Sequence, residues 1–296
     1  MDSVRKPLDT SAIALMVLLC FVWGLGHVAT KVAAEGVSLV TQAAIRSAVA
    51  AVLLFAWTRY SGARLFGRDG TLGAGVLAGL LFGLEFVFIF AGLGHTDAAR
   101  MVVFVYMAPC FTALGLAWFV PGERLNTRQW AGVLIAFGGM ALAFADGFAA
   151  ARGTLLGDAF GVIAGLLWAA TTVLIRATRL GAISASKTLF YQLAVSAVLL
   201  TAFALALGEP GVTRLTPLVL ASLVFQCVIV AFLSYLVWFW LLRRYLAARL
   251  SVFSFLTPLF GVAAGVVLLG EPLTVVFAAA AALVGAGIVL VNNPGK

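Results

Sequence analysis

Charge is what this sequence has least of. Only 10% of its 296 residues are Asp, Glu, Lys or Arg, against about 25% in a soluble domain, so the bilayer is the expected solvent. Histidine occurs twice, as His27 and His95, and the chain has neither His-Glu-x-x-His nor Gly-x-Ser-x-Gly. No hydrolytic zinc site and no serine nucleophile is expected, hence no enzyme activity, no metal and no cofactor. The Gly-x-x-x-x-Gly-Lys-Ser/Thr loop of ATP-driven machines is absent, and no polar stretch is long enough for a soluble domain to hold one. Cysteine is scarce and odd in number. Cys20, Cys110 and Cys227 all lie in apolar runs, which argues against a disulfide framework and for small packing residues.

What the chain does have is apolar length. Hydrophobic residues make up 64% of it, and the mean hydropathy is +1.14. A window of about 20 residues finds about ten transmembrane helices, centred on residues 11–34, 37–59, 71–94, 99–120, 127–146, 155–178, 184–207, 216–241, 248–269 and 273–292. The first run is too long for a signal-peptide core and counts as a span. Placing the N-terminus in the cytoplasm puts Arg5, Lys6, Arg59, Arg64, Arg68, Arg124, Arg128, Arg176, Arg179, Lys187, Arg243, Arg244, Arg249 and Lys296 on the inner side. Only Lys31, Arg100, Arg152 and Arg214 fall outside. That bias predicts both termini inside. The net charge of +8 then belongs to a rim facing anionic lipid, and no nucleic-acid partner is expected.

The chain also repeats itself. Ala99-Arg100, Pro109 and Gly122-Glu123-x-Leu125 recur as Ala248-Arg249, Pro258 and Gly270-Glu271-x-Leu273, with one residue lost before the second Gly-Glu pair. Trp23 and Lys31 match Trp168 and Arg176 at equal spacing. Arg46 before Val52-Leu53-Leu54 matches Gln192 before Val198-Leu199-Leu200. The predicted fold is therefore an all-α integral membrane protein of two five-helix repeats, residues 1–147 and 148–296. Five is odd, so the second repeat must enter the membrane inverted, which places a substrate site near the midplane between the halves. Both repeats lie in one chain, and a monomer is the expected unit.

Pro109 and Pro258 fall mid-span in helices four and nine, where each removes the usual partner of a carbonyl four residues back, Val105 and Ser254. A packing kink is the simpler reading, but the matched positions favour a hinge or a cavity-shaping break. Two ladders, Gly75, Gly79 and Gly83, then Gly157, Gly161 and Gly165, read as close helix packing within the chain.

Ionisable groups inside a span cost several kcal/mol unless paired or hydrated. Three qualify: His27, Arg46 and Glu85. Arg46 and Glu85 either join helices two and three as an ion pair or contact a substrate, and a zwitterionic amino acid would suit them both. Trp23, His27 and Lys31 share one face of helix one, and Trp23 has its repeat mate in Trp168. On aligned positions, Glu85 matches Ser234, Phe86 matches Tyr235, and Phe90 matches Phe239. With Tyr106, Tyr191, Gln192 and Trp238 these residues outline an aromatic pocket with few polar tips. Trp57 and Trp118, near span ends, read as interfacial belt residues.

Taken in order, Trp23-Gly24, Arg46, an Ala-Arg opening to helix four, its mid-helix proline and Gly-Glu-x-Leu resemble the EamA family of the drug/metabolite transporter superfamily. The resemblance covers nearly the whole chain. It implies ten helices in inverted halves and alternating-access transport of small metabolites. The aromatic lining and sparse charge are similar to bacterial inner-membrane exporters of amino acids, aromatic ones especially. Glu85 departs from the family pattern, which more commonly has an apolar residue there. The resemblance leaves a drug/cation carrier and a nucleotide-sugar exchanger as sister readings, with a passive channel as a reading from another class.

Overall fold

A computed structural model describes residues 6–62, 65–67, 69–150, 154–269 and 275–293. The apolar runs all fold as helix, because a backbone in lipid must satisfy its own hydrogen bonds. They are α1 (Thr10–Ala33), α2 (Leu39–Ser61), α3 (Leu72–Leu93), α4 (Ala98–Phe119), α5 (Thr127–Ala143), α6 (Leu155–Ala177), α7 (Ala185–Ala206), α8 (Pro217–Arg244), α9 (Ala247–Val267) and α10 (Val275–Asn292). Nine of these, among the described residues, are long and apolar enough to cross a membrane. The remaining one, α5, has 17 residues. Strands are absent among the described residues; only the isolated bridges Lys6–Tyr245 and Val37–Val212 occur. Residues Gly270, Glu271 and Leu273 of the second repeat motif lie outside the described residues. So do the charges Arg5, Arg64, Arg68, Arg152 and Lys296.

Local chemistry sets the helix ends. Asp9 accepts a hydrogen bond from the Ala12 amide at 2.8 Å and caps α1. Thr154, Ser184 and Thr216 cap α6, α7 and α8 with their hydroxyls. Asn126 and Gln129 form a reciprocal capping box on α5. α2 ends at Gly62, whose φ of 71° is the left-handed conformation that glycine tolerates best.

Packing between the helices follows the repeat. α1 packs on α9 and its counterpart α6 packs on α4; α3 packs on α6 and α8 on α1; α2 faces α7, and α5 faces α10. Exchanging the two halves leaves this set of partners unchanged. Contacts at the helix ends then define two faces. On the N-terminal face, the Lys6 amide donates to the Arg244 carbonyl, Tyr245 donates to Asp9, and Lys187 pairs with Asp69 at 2.7 Å. On the opposite face, Glu209 accepts from Ser38 and Thr41, and Arg100 pairs with Asp158. Burial would push the Glu209 carboxyl up, but the bonds from Ser38, Thr41 and Val40 outweigh it and hold the group below its ordinary value.

Both glycine ladders serve packing within the chain, as the sequence suggests. Gly75, Gly79 and Gly83 admit Tyr191, Val195 and Leu199 of α7; Gly157, Gly161 and Gly165 lie against His95, Phe104 and Val105 at and beyond the start of α4. A Cβ on Gly165 would stand 2.9 Å from the Val105 carbonyl oxygen and 3.1 Å from that of Phe104, and backbone cannot swing away as a side chain can. Gly165→Ala should therefore cost about 1–3 kcal/mol and lower the melting temperature of the purified protein. Gly138→Ala, whose Cβ would meet nothing within 4 Å, should be neutral or slightly stabilising in the same melt.

The three cysteines are free, and Cys20 donates to the Phe253 carbonyl at 3.1 Å. Trp57 and Trp118 are exposed at helix ends on the N-terminal face, in keeping with a belt role.

Candidate functional site

Both mid-span prolines mark breaks in their helices. α4 stops at Val105, turns through Tyr106 and Met107, and resumes at Ala108 with Pro109 in its first turn. α9 passes through a 3₁₀ turn, Val252–Phe255, just before Pro258. Between these breaks lies a cavity of about 790 Å³ lined by both prolines, within the range of ligand pockets. Its floor, toward the N-terminal face, includes Ile175, Leu242 and Ser251. Its mouth includes Lys31, Ala34 and Ala98, all exposed on the opposite face.

The sequence-derived residues meet here with one exception. Trp23, His27, Arg46, Glu85, Phe86, Tyr106, Trp168, Gln192, Tyr235, Trp238 and Phe239 all line the cavity. Tyr191 does not. Its ring packs over Gly75 at the N-terminal end of α3, and its hydroxyl lies 3.4 Å from that of Thr71. The glycine leaves room for the ring between the helices, so α7 turns Tyr191 into the helix contact and presents Gln192 to the cavity.

The walls are mostly aromatic. Trp23 meets Tyr235 and Trp238 edge-on, at ring separations of 6.2 and 5.8 Å, and donates its indole N–H to the Ser234 hydroxyl at 2.8 Å. Trp168 meets Tyr106 edge-on at 5.5 Å, and the Tyr106 hydroxyl lies 3.4 Å from His27 Nε2. Phe82 sits edge-on to both Phe86 and Tyr235, at 5.1 and 5.9 Å.

Polar groups within this cage are few, and Arg46, Glu85 and Gln192 stand unattached to one another. Arg46 holds its guanidinium 4.6 Å above the centre of the Phe86 ring, a cation–π contact. Its Nη2 atom is buried with no hydrogen-bond partner among the described residues, and the same holds for Oε1 of Gln192, its repeat mate. Glu85 is 8% exposed. The ion pairs among the described residues are Arg100–Asp158, Arg176–Glu123 and Lys187–Asp69, so the expected Arg46–Glu85 bridge does not form. Each group keeps its own wall. Buried polar atoms are nearly always satisfied by protein, water or ligand, so unpartnered ones facing a cavity are what a polar ligand needs.

Some cavity residues escape a reading by charge and aromaticity. Thr30, Gln226, Ser251 and Thr257 also line it. Thr30 donates to Gln226 Oε1, and Gln226 donates to Gln42 Oε1, both at 3.2 Å, which joins α1, α8 and α2 near the mouth. A lone glutamine in an apolar span was the available signal for Gln226. The ten-residue π-helical stretch Phe225–Ser234 within α8 carries no comparable sequence mark.

Below the cavity the N-terminal face is sealed. Glu123, in the α4–α5 connection, accepts from Arg176 and from the Ala247 and Ala248 amides, the latter two at 3.1 Å. Arg176 also donates to the Leu242 carbonyl at 2.6 Å. One carboxylate from the first repeat thus gathers the ends of α6, α8 and α9. Both partners are almost wholly out of solvent, at 0% and 1% side-chain exposure.

Comparison with known proteins agrees with this architecture. The EamA-like transporter family model matches residues 10–145 and 155–293. An "uncharacterized transporter" of Archaeoglobus fulgidus is 27% identical over 83% of this chain and 85% of its own. A "probable amino-acid metabolite efflux pump" of Salmonella typhimurium is 26% identical over 93% of this chain and 92% of its own, and one of the same description from Escherichia coli is 25% identical over 88% and 87%. A solved crystal structure superposes with a TM-score of 0.80 at 21% identity, covering 96% of this chain and 98% of that one.

Proposed function

This chain belongs to the EamA-like transporter family, and from that premise we propose that it exports amino acids, aromatic or other neutral ones, by alternating access. One observation carries the substrate class. Arg46 and Glu85 line a single aromatic cavity, and neither is in an ion pair among the described residues. A zwitterion supplies the missing partner to each, its carboxylate to Arg46 and its ammonium to Glu85 with Gln192 Oε1 beside it. The edge-on rings of Trp23, Trp168, Phe86, Tyr235 and Trp238, with Phe239 also in the lining, take an apolar or aromatic side chain. His27 and Tyr106 complete the polar lining. A phosphate ester would want several cations around one point, which a lone guanidinium above Phe86 supports less well.

Residues 1–147 and 148–296 act as the two inverted repeats, and Pro109 and Pro258 are the hinges about which α4 and α9 bend. With both termini in the cytoplasm of a bacterial cell, the cavity faces outward across the inner membrane. The positive-inside bias supports that orientation, and relatives described as probable amino-acid metabolite efflux pumps support export. A single chain carries the whole path, which favours a working monomer.

The test is counterflow uptake of labelled amino acids into liposomes holding the purified protein, with Trp, Phe, Thr and Ala as competitors. Saturable exchange competed best by aromatic amino acids is expected. No exchange of any amino acid by folded, reconstituted protein would overturn the substrate class, and cationic drugs and nucleotide-sugars would follow in the same assay. Flux without saturation would point instead to a channel.

A further inference from the structure

One hydrogen bond between the repeats lacks its symmetry mate, and the missing bond falls on the cavity's only carboxylate among the described residues. Trp23 on α1, in the first repeat, gives its indole N–H to Ser234 on α8, in the second. Trp168 on α6 is the repeat mate of Trp23, and Glu85 on α3 is the mate of Ser234. The helices that carry them pack in the mated way, α3 on α6 as α8 on α1. Along the α3–α6 contact, Gly92 meets Gly157 and Phe88 meets Phe160. By the same antiparallel register Glu85 stands level with Ala164, one turn short of Trp168, so a slide of about one turn along this contact would bring the two together. Yet Trp168 rests against Tyr106 on α4, and no hydrogen bond joins its indole to Glu85.

Inverted repeats reach the second open state by exchanging their conformations. We propose that Trp23 and Trp168 exchange roles in that step. With the cavity open opposite the N-terminal face, Ser234 holds Trp23 and the Glu85 carboxylate is offered to the cavity. With the cavity open to the N-terminal face, Glu85 holds the Trp168 indole, and the Ser234 hydroxyl is offered instead. The mates are not chemically equal. A hydroxyl can accept an indole N–H while donating elsewhere, as Ser234 does to the Val230 carbonyl. An ionised carboxylate can only accept, so the indole occupies acceptor capacity that an ammonium group would otherwise use. A substrate amine therefore meets a fully available carboxylate from one side of the membrane and an occupied one from the other. Glu85 becomes the residue that makes affinity sided. This consequence for substrate rests on the amino-acid reading above, whereas the exchange itself does not.

Two measurements separate the exchange from the substrate reading. The first needs no substrate: hydrogen exchange at the indole nitrogens of ¹⁵N-tryptophan-labelled protein, with the signals assigned by W23F and W168F. Ser234→Ala should speed exchange at Trp23 alone. Glu85→Ala should leave exchange at Trp168 unchanged in otherwise wild-type protein, where the indole makes no bond to Glu85, and should speed it by about tenfold, as expected on losing a bond to a charged group, with Glu123→Gln present to favour the second state. A static structure predicts no change at Trp168 in either background. An unchanged rate with Glu123→Gln present overturns the proposal. The second is sided transport: half-saturation for a neutral amino acid should be about tenfold lower from the mouth side, and Glu85→Ser, which makes the mates alike, should abolish the difference. If no amino acid is carried but Trp168 responds to Glu85→Ala, the exchange stands and the substrate class falls. A side difference that survives Glu85→Ser overturns the role of Glu85 whatever the indoles do.

Discussion

Replacing Arg46 with alanine should raise the half-saturation concentration for carboxylate-bearing substrates by about ten- to a hundredfold while leaving the protein folded. The size follows from what a hydrogen bond to a charged group contributes, about 1.5–3 kcal/mol, with about 1.4 kcal/mol for each factor of ten. The intact fold follows from what Arg46 does not do. Among the described residues it bridges no helices as an ion pair, and its described contact is with the Phe86 ring. Removing it thus takes a charge away from a cavity wall and leaves no buried partner stranded. Lysine at the same place keeps the charge but loses the planar fork that matches a carboxylate, so Arg46→Lys should fall between the two. Competition assays read the distinction. A decarboxylated amine should inhibit wild type and Arg46→Ala about equally, whereas the amino acid itself should discriminate strongly. Equal half-saturation for wild type and Arg46→Ala, with a matched melting temperature, would remove Arg46 from the site.

The parts of this molecule that the sequence makes legible are those governed by the bilayer and by the repeat. Apolar runs of about 20 residues can only be helices in lipid, so every span lies within a few residues of its expected place. α5 narrowly misses full spanning length because it stops at Ala143 and a separate short helix, Ala145–Ala150, follows. Pro109 and Pro258 announce breaks, since the missing N–H is a property of the residue itself. The break in α4 nevertheless falls at Tyr106 and Met107, ahead of the proline. Long-range partnership is where local reading stops. Arg46 and Glu85 suit each other by charge and depth, yet each faces the cavity from its own wall. Tyr191 reads as a cavity aromatic, but Gly75 gives it a better berth between helices. Arg176 reads as one more cytoplasmic charge, and in the fold it is buried against Glu123, 53 positions away. None of these three outcomes follows from composition or spacing, because each is decided by which helices become neighbours.

That last pairing carries the other large expected effect. Glu123→Gln should shift the protein away from the state seen here, toward one whose cavity opens to the N-terminal face. The carboxylate stabilises closure there through Arg176 and the two amides that begin α9. In the substituted protein Arg176 keeps its charge and, while the face stays closed, stays buried with its charged bond to Glu123 lost. Breaking a buried pair from one side costs about 3–5 kcal/mol, and opening lets water relieve part of that cost. The closed arrangement is therefore destabilised selectively, and even half of that figure moves a two-state ratio by about tenfold or more. Ser254 lines the cavity and is 2% exposed, so a cysteine there, with Cys20, Cys110 and Cys227 replaced, reports the change. A membrane-impermeant thiol reagent added on the N-terminal side should label Ser254→Cys slowly in the parent and at least about tenfold faster with Glu123→Gln. Labelling from the mouth side should slow in step, because the two openings exclude each other. Faster labelling from both sides would mean that Glu123 only holds the fold together. Unchanged labelling from both would mean that the pair is not a latch. Arg176→Gln in place of Glu123→Gln separates charge from packing further: it strands the carboxylate, but the Ala247 and Ala248 amides still hold that group, so its shift should be in the same direction and smaller.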